Sequence, residues 1–516
     1  MHCTIIRFSR QEPVYWLGLG ASVVGMFFLF VPLEAMVQAG VWISPVGTLQ
    51  DKTILLFEAL KVVLPMLGIA GVTWILIPSH ARHVIISNLG MVIHSNYIVP
   101  SIIILALLLR LGWIVYYPTQ LYAESQWYFD KAFDIANGQG YLYDLVSRKP
   151  TAAWPIGYPM FLALLFRLFG PSILIAKLAN AALGVLIVYM TYLLAQYIFD
   201  HTVAVLSALW IAILPGIIVY SSLVCSDILF MALVMCVLLL MLKEETKAPL
   251  GNKQTTLLAL VTGLINGLMI LTRSTGLALL PLWIGIRWLN FRRRYGSSWQ
   301  WVLAIVFGTC LVVLPWTLRN YFYFHKLVPV STNGGVNFWM GNNSLAYGGY
   351  VFPRNMEQNP LLSLIGNEIA LDETGYKLGL EFIRENPERA LRLLPAKVFY
   401  LYNSNDAGLE WNIRSAAFHN QHGTGIRAYV LTNLVYTVLI LFALFGLLIL
   451  LFSSKRYRPL IWIGVIFGGY WTLVHLPFFG LDRFSLPVLP ILTMYAAFGL
   501  AKLIGLDNLG FYPKRS

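Results

Sequence analysis

The sequence predicts an all-helical protein that crosses a membrane about twelve times. Its 516 residues are 58% apolar and only 11% charged, whereas a soluble domain carries about 25% charged residues. Many apolar residues form runs of the length, about 20, that crosses the hydrocarbon core of a bilayer. Backbone polar groups inside a bilayer must be satisfied locally, so we expect these runs to be helices.

Twelve apolar runs are the candidate spans. They lie at 14–34, 53–78, 97–117, 172–199, 202–221, 227–242, 255–271, 276–290, 300–318, 428–453, 459–477 and 485–504. A shorter apolar piece, 158–169, is expected either to dip into the membrane or to extend the following helix. Arg7 and Arg10 precede the first run. Because no small-residue cleavage site stands out there, we interpret that run as a span and not as a signal peptide.

Basic residues predict the orientation. With a cytoplasmic N-terminus, alternation of the spans puts every basic cluster on the cytoplasmic side, as the positive-inside rule requires. These clusters are Arg82, Lys243 with Lys247, Arg292 to Arg294, Lys455 with Arg456 and Arg458, and Lys514 with Arg515. Topology therefore accounts for the net charge of +13, and no nucleic-acid partner is predicted. The segments 118–157 and 319–427 are expected to face outward from the cell inner (plasma) membrane.

The chain is predicted to have four parts. They are an N-terminal two-span extension (1–95), a transmembrane core with the first outer loop at 118–157 (96–320), an extracytoplasmic loop subdomain (321–427) and C-terminal transmembrane helices (428–516). Within the third part, apolar residues at helical spacing over 379–402 predict two amphipathic helices on the membrane face. Asn386 is expected to cap the second of them, which Pro387 begins.

The stretch "YAESQWYFDKAFD" places three carboxylates on the first outer loop. A spacing of four puts Glu124 and Tyr128 on one face of a helix, and likewise Asp130 and Asp134. A charged polar face is normal for a helix at a membrane surface, so Asp130 and Asp134 are more simply solvated charges, with Lys131 paired to Asp134. Glu124 differs because it comes first, close to the membrane exit.

The next stretch, "RKPTAAWPIGYP", carries prolines and a glycine that predict a rigid bend with Trp154 and Tyr158 on it. The simple interpretation is a stiff connector with interfacial rings. The alternative is a wall of an outward-facing cavity, where Arg148 or Lys149 meets an anionic head group.

Ionisable residues at the ends of spans are costly and often functional. Asp227 follows Ser226 at the start of a span, where an anion in the first turn is favourable. Arg273 and Arg319 are expected to end spans on the outer side, against the positive-inside bias, so each calls for an anionic partner.

A further outer cluster contains His475, Asp482 and Arg483. A contact within the 482–483 turn or simple snorkelling explains part of it. Together with Arg273 and Arg319, however, it makes a one-sided set of cations. Phosphate is their natural partner, because arginine binds phosphate bidentately.

Metal and disulfide chemistry is not predicted. The four cysteines, Cys3, Cys225, Cys236 and Cys310, are scattered without metal-ligand spacing. No cofactor is required by the sequence, and a divalent cation stays an open alternative because the carboxylates are few and form no ligand cluster.

Over roughly 100–500 the chain resembles the polytopic GT-C glycosyltransferases that use polyprenyl-phosphate sugars, among them protein O-mannosyltransferases, lipid A aminoarabinose transferases and rhizobial galacturonosyltransferase-like proteins. The resemblance rests on the order and spacing of "AESQWYFDKAFDIANGQGY", "KPTAAWPIGYP", "LPGIIVYSSLVCSDILF", "LTRSTGLALLP", "RNYFYFHKLVPVSTNGGVNFWMGNN" and "DRFSLPVLP". The family carries a catalytic carboxylate, usually aspartate, in its first outer loop. Glu124 matches that position. Because glutamate reaches one carbon further than aspartate, either the pocket is set back or Asp130 shares the role.

The resemblance implies inverting transfer of a sugar from a polyprenyl-phosphate carrier, held in the membrane, to an extracytoplasmic hydroxyl on a lipid, a glycan or a protein of the cell envelope. The donor phosphate is expected at Arg273, Arg319, Arg483 and Lys149. The substrate pocket is expected at Tyr128, Trp154, Tyr158, Asp227, His475 and Asp482.

Two other functional classes stay open. A transporter or flippase of a polyprenyl-linked sugar would place ionisable residues along a path through the membrane, but here they cluster at outer ends and no inverted repeat is visible. A non-catalytic assembly subunit would use the spans at 14–78 to dock a partner. The sequence identifies neither the sugar nor the acceptor, because hydroxyl recognition depends on pocket geometry.

Overall fold

The computed structural model describes residues 77–144, 146–246, 252–291, 299–416, 422–452 and 461–506. The predicted span 14–34, and all but the end of 53–78, lie outside these residues. Within the described ranges every regular element is a helix, apart from two isolated β-bridges. The predicted all-helical class is therefore confirmed.

The α-helices are numbered here in chain order. They are α1 Ser79–Ile93, α2 Ile98–Tyr116, α3 Glu124–Ala136, α4 Gly157–Phe169, α5 Ile173–Ile198, α6 His201–Ile213, α7 Pro215–Ile218, α8 Asp227–Thr246, α9 Asn252–Thr272, α10 Leu279–Phe291, α11 Trp299–Phe324, α12 Gly334–Gly341, α13 Glu368–Glu385, α14 Pro387–Tyr402, α15 Ala407–Arg414, α16 His422–Phe452, α17 Ile461–His475 and α18 Leu489–Ile504. Short 3₁₀ helices lie at Val219–Ser222, Ser274–Ala278, Pro360–Leu364 and Asp482–Val488.

Six helical stretches of the described chain are long and apolar enough to cross a membrane. They are Ile98–Tyr116, Ile173–Ile198, Gln254–Thr272, Trp299–Phe324, Ala428–Phe452 and Asp482–Ile504. A bent pair, His201–Ile213 with Pro215–Ser222, makes a seventh if it is one span. The protein is thus an integral multi-pass membrane protein, but the predicted number of twelve spans is not confirmed.

The predicted span 202–221 is broken, with an angle of 61° between its two halves. Pro215 has no N–H to donate, so the helix ends at Ile213. The guanidinium of Arg110, buried in α2, donates to the carbonyl oxygens of Ala212 at 3.3 Å and Ala106 at 2.9 Å. A cation is favourable at a helix C-terminus, so Arg110, which the sequence analysis did not single out, stabilises this break.

The apolar piece 158–169 forms a separate helix, α4. Gly170 ends it with a φ of +85°, and the Ser172 hydroxyl accepts from the backbone N of Leu174 to start α5. The expected extension of the following helix is therefore wrong. Instead α4 packs on α3, with the rings of Phe166 and Phe129 5.0 Å apart.

Helices α13 and α14 meet at Asn386, as the sequence predicts. The expected capping contact is wrong, however. The Asn386 side chain accepts no backbone N–H of α14 and instead donates to the carbonyl of Phe382, near the end of α13, at 3.3 Å. A second correction concerns Arg319, which was expected to end a span: α11 continues past it to Phe324. Arg273, by contrast, directly follows the end of α9, as expected.

The two segments predicted to face outward pack against each other. The backbone N of Gln120 donates to Ser415 at 2.7 Å, beside a bridge between Thr119 and Ala416. The backbone N of Thr332 donates to the carbonyl of Ala152 at 2.9 Å. Both segments therefore lie at the same end of the transmembrane helices.

One carboxylate, Glu368 of α13, fastens these segments. It accepts from the hydroxyl of Thr151 at 3.1 Å, the backbone N of Ala152 at 3.1 Å and the hydroxyl of Thr332 at 2.9 Å. Burial raises the pKa of this carboxyl. We call this arrangement the Glu368 clasp.

Candidate active site

Two carboxylates and two arginines meet where the outward segments join the membrane helices. We call Glu124, Asp227, Arg273 and Arg483 the charge cluster. Arg483 binds Glu124 through two parallel contacts, Nη1 to Oε2 at 2.7 Å and Nη2 to Oε1 at 3.1 Å. A paired geometry of this kind gives the strongest arginine–carboxylate contacts.

Asp227 is held by both arginines. Arg483 Nε lies 2.9 Å from each carboxylate oxygen, and Nη2 lies 2.6 Å from Oδ2. Arg273 Nη1 donates to Oδ1. The Asp227 side chain is 1% exposed, whereas the Glu124 side chain is 18% exposed. In the ionised state the formal charges of the charge cluster sum to zero.

All four residues lie at the ends of helical elements or directly beside them. Glu124 and Asp227 are the first residues of α3 and α8, where the helix dipole favours a negative charge. Arg273 follows α9, and Arg483 lies in the 3₁₀ turn Asp482–Val488. Ala123, directly before Glu124, has a φ of +50°. Residues other than glycine rarely adopt that conformation, and strain of this kind concentrates at functional sites.

Aromatic rings cover the arginines. The Trp411 ring, from α15, lies 4.4 Å from the Arg483 guanidinium carbon. The Phe484 and Phe230 rings lie 5.4 and 5.9 Å from that of Arg273. Cation–π contacts strengthen when water is excluded. Trp411 was missed by the sequence analysis, because a lone tryptophan in a short polar helix is typical of an interface.

Asp482 positions α15, whereas the side-chain hydrogen bonds of Arg483 within the described residues go to Glu124 and Asp227. Its Oδ2 accepts from the backbone N of Asp406 at 2.8 Å and of Ala407 at 2.9 Å, at the start of α15. The expected contact within the 482–483 turn is therefore replaced by a helix N-terminal contact. Asn412 holds the same helix by accepting from Trp113 Nε1 at 3.0 Å.

Two predicted pocket tyrosines lie beside the charge cluster. The Tyr128 hydroxyl donates to Ser226 Oγ at 3.2 Å, one residue before Asp227. Burial raises the pKa of the Tyr128 hydroxyl well above its ordinary value, so it stays protonated. The Tyr158 ring packs edge-on against that of Tyr128 at 5.1 Å, and its hydroxyl contacts Asn180.

His475 lies next to Phe484, one of the rings that cover Arg273. It is buried, its Nδ1 donates to the carbonyl of Trp471 at 2.8 Å, and its ring lies 5.3 Å from that of Phe484. Trp154 packs against Trp127 at 4.8 Å.

Two of the predicted phosphate ligands are not brought to the charge cluster. Arg319 donates to the carbonyl oxygens of Thr151 and Tyr141, both at 2.8 Å, and lies 4.6 Å from the ring of Trp316. It therefore holds the outer loop. Lys149 is exposed, and among the described residues its ammonium has no partner.

Asp130 is also apart from the charge cluster, since it is exposed and accepts from Gln126 at 2.7 Å. The predicted pair between Lys131 and Asp134 is present at 3.0 Å. The expected solvation of Asp134 is wrong, because this residue is only 4% exposed. Within the described ranges no group of three His, Cys, Asp or Glu residues could hold a metal ion.

The middle of the chain matches a known protein family. Residues 153–316 match the model of a family described as dolichyl-phosphate-mannose-protein mannosyltransferase. The resemblance predicted from the sequence is confirmed there. This segment, about a third of the chain, contains Asp227 and Arg273. No curated protein sequence matches the chain.

Several solved structures are distantly similar. The Archaeoglobus fulgidus oligosaccharyltransferase in its apo form has 16% identity and a TM-score of 0.46, over 81% of this chain and 52% of that one. The archaeal oligosaccharyltransferase AglB from the same organism, in complex with an inhibitory peptide and a dolichol-phosphate, has 16% identity and a TM-score of 0.45, over 82% of this chain and 53% of that one. ArnT from Cupriavidus metallidurans bound to undecaprenyl phosphate has 15% identity and a TM-score of 0.39, over 80% of this chain and 77% of that one. The aligned region spans about half the length of the archaeal enzyme.

Proposed function

We propose that the protein is a membrane glycosyltransferase that moves a sugar from a polyprenyl-phosphate carrier to a hydroxyl of a lipid, glycan or protein acceptor. The observation that carries the proposal is the charge cluster, which unites a partly exposed carboxylate with two arginines at one end of the membrane helices. The family match supports the donor class, because its description names a lipid-phosphate-linked mannose. We place the reaction at the extracytoplasmic face of the inner (plasma) membrane.

Glu124 is the proposed base. It takes the proton of the acceptor hydroxyl while the hydroxyl oxygen forms a bond to the anomeric carbon. The bond from that carbon to the phosphate oxygen breaks, and its electron pair leaves with the polyprenyl phosphate. A carboxylate can act in this way within about 2.6–3.2 Å of the hydroxyl. A single displacement inverts the anomeric configuration and needs no covalent intermediate.

The arginines are proposed to bind the phosphate and to stabilise the charge that develops on it. Among the described residues, the side-chain hydrogen bond of Arg273 is donated by Nη1 to Asp227, which leaves Nε and Nη2 as donors for an incoming anion. Fixed donors in a site that excludes water stabilise developing charge far more than donors in bulk solvent do. Trp411, Phe230 and Phe484 supply that exclusion here.

The first prediction separates the two candidate carboxylates. Purified protein should release polyprenyl phosphate from a labelled polyprenyl-phosphate sugar when an acceptor is present. We expect Glu124→Gln to lower this rate by roughly 10²–10⁴-fold, the usual contribution of a general base. Asp130→Asn should retain the rate of the native protein, because Asp130 lies outside the charge cluster.

If Glu124→Gln is active and Asp130→Asn is inactive, the base is Asp130 and not Glu124. A transporter would behave differently from either outcome. It would move labelled donor across liposomes without releasing polyprenyl phosphate, and that result would overturn the proposed function. Glu388→Gln removes a carboxylate that is exposed on α14 and serves as the charge control.

A further inference from the structure

The guanidinium of Arg483 has little hydrogen-bonding capacity left for a ligand. Arginine has five N–H groups. The Nε–H is shared between the oxygens of Asp227, both protons of Nη2 are directed to Glu124 and Asp227, and one proton of Nη1 is directed to Glu124. One N–H remains. A phosphate can therefore bind Arg483 through two contacts only if one carboxylate gives way.

Exposure and pairing decide which carboxylate gives way. Asp227 is 1% exposed and is bound by both arginines, so its displacement would leave Arg273 without its carboxylate partner and would place a buried anion away from both cations. Glu124 is 18% exposed and is bound only by Arg483 among the described residues. Breaking a buried ion pair is costly when one charge is left unpaired. The exchange of Glu124 for another anion avoids that cost.

The charges also match. With Glu124 removed, Arg273, Arg483 and Asp227 carry a formal charge of +1, from two cations and one anion. A sugar-linked polyprenyl phosphate is a phosphodiester with a single negative charge. The three residues and the bound phosphate thus sum to zero, and the displaced Glu124 keeps its own negative charge until it takes the proton of the acceptor.

We propose that the donor phosphate replaces Glu124 on Arg483, so that Glu124 becomes available to the acceptor hydroxyl only when the donor is bound. This inference rests on the proposed function and adds a regulation of the same site. Before the donor arrives, both Glu124 oxygens accept from Arg483 and the base is occupied. After transfer, Glu124 carries the proton of the acceptor hydroxyl. Once that proton passes to the leaving polyprenyl phosphate or to water, the ionised carboxylate can return to Arg483 and compete with the phosphate for release.

The exchange makes Glu124 a competitor of the phosphate, which gives a distinctive test. Binding of undecaprenyl phosphate is measured to the native protein and to variants in nanodiscs of neutral lipid. We expect Glu124→Gln to bind about tenfold more tightly than the native protein, because the competing charged contact is lost. A residue that merely supported the site would weaken binding when substituted.

A second variant separates contact from charge. Glu124→Asp keeps the negative charge but is one carbon too short for the two parallel contacts with Arg483, so it too should bind more tightly than the native protein. Glu388→Gln, which removes an exposed charge, should bind as the native protein does. In an Arg483→Lys background, Glu124→Gln should bring no gain.

The outcomes distinguish the exchange from the proposed function. The exchange is wrong if neither Glu124 variant binds more tightly than the native protein. It is also wrong if Glu124→Gln binds more tightly but Glu124→Asp does not. Both conclusions hold even when the native protein transfers sugar. If both variants bind more tightly but the native protein transfers no sugar from any donor, the exchange is supported with an anionic lipid as the ligand. The glycosyltransferase proposal is then wrong.

Discussion

At the scale of single residues, the charge cluster is partly visible in the sequence. Glu124, Asp227, Arg273 and Arg483 all stand out as ionisable residues at the ends of apolar runs. Their mutual pairing cannot be predicted, because Glu124 and Arg483 are 359 positions apart. Arg319 shows the opposite failure. It has the same local pattern, yet it binds the backbone carbonyls of Thr151 and Tyr141 and the amide oxygen of the adjacent Asn320, and the two carbonyl contacts have no signature in the sequence.

Lys397 of α14 is a buried cation that the sequence analysis overlooked. It is 3% exposed, and its ammonium donates to Asn342 Oδ1 at 3.1 Å and to the carbonyl of Leu476 at 3.0 Å. Burial lowers the pKa of this lysine from 10.5 to about 8. The contact fastens α14 to the loop that precedes Arg483.

This shift predicts a pH dependence of stability. The folded pKa of Lys397 lies below the unfolded one, so between about pH 8 and 10.5 the unfolded state binds more protons. Its burial therefore costs most below pH 8, and that cost disappears as the pH rises through this window. Relative to Lys397→Met, the native protein should gain thermal stability from pH 7.5 to pH 10. The comparison Lys377→Met, at a side chain that is 73% exposed, should show no such difference. Parallel pH curves for native protein and Lys397→Met would contradict the assignment.

At the scale of elements, α9 and α11 approach each other through glycines. A Cβ on Gly263 would lie 2.3 Å from the carbonyl oxygen of Ile305, and one on Gly308 would lie 2.5 Å from that of Leu260. Gly263 and Gly267 have the spacing of four that allows membrane helices to pack closely. Thr309 then donates across the interface to the carbonyl of Gly263 at 3.1 Å.

Gly263→Val should force these helices apart. We expect a loss of about 1–3 kcal/mol in the free energy of unfolding, typical of overpacking, and a lower melting temperature in detergent. Turnover should fall as well, because α9 ends directly before Arg273. The matched control is Gly285→Ala in α10, where an added Cβ meets no atom within 4 Å. The prediction fails if both variants melt alike.

Helix boundaries were predictable where hydrophobicity alone decides them. The predicted span 97–117 corresponds to α2, and 172–199 to α5, within one residue at each end. Helix α1 was not predicted, because its polar residues interrupt any apolar run. The break between α6 and α7 was also missed, since a proline inside an apolar run does not show whether neighbouring groups will accommodate a sharp bend.

At the scale of the whole molecule, the Glu368 clasp joins segments that are far apart in the chain. Glu368→Ala leaves the N–H of Ala152 and two hydroxyls without their acceptor, so we expect a loss of about 1–3 kcal/mol in stability and a lower turnover. Glu368→Gln keeps one acceptor oxygen and should lose less on both measures. Equal melting temperatures for Glu368→Ala and the native protein would show that the clasp does not hold the outer loop.

The general architecture could be predicted, but its internal arrangement could not. Composition predicted the membrane class, and the motif order predicted the resemblance that the family match confirms over 153–316. The same-side position of the two outward segments followed from charge alternation, and their mutual contacts agree with it. The contacts themselves depend on side chains such as Glu368 and Thr332, which carry no distinguishing local pattern.

The long separation between Glu124 and Arg483 also has a consequence for biosynthesis. Chains are made from the N-terminus at roughly 5–20 residues per second, so Glu124, Asp227 and Arg273 are all translated well before Arg483. Until the last helices enter the membrane, two carboxylates share one arginine. A nascent chain that stops before Arg483 therefore carries one excess negative charge among these residues, and the addition of Arg483 neutralises it.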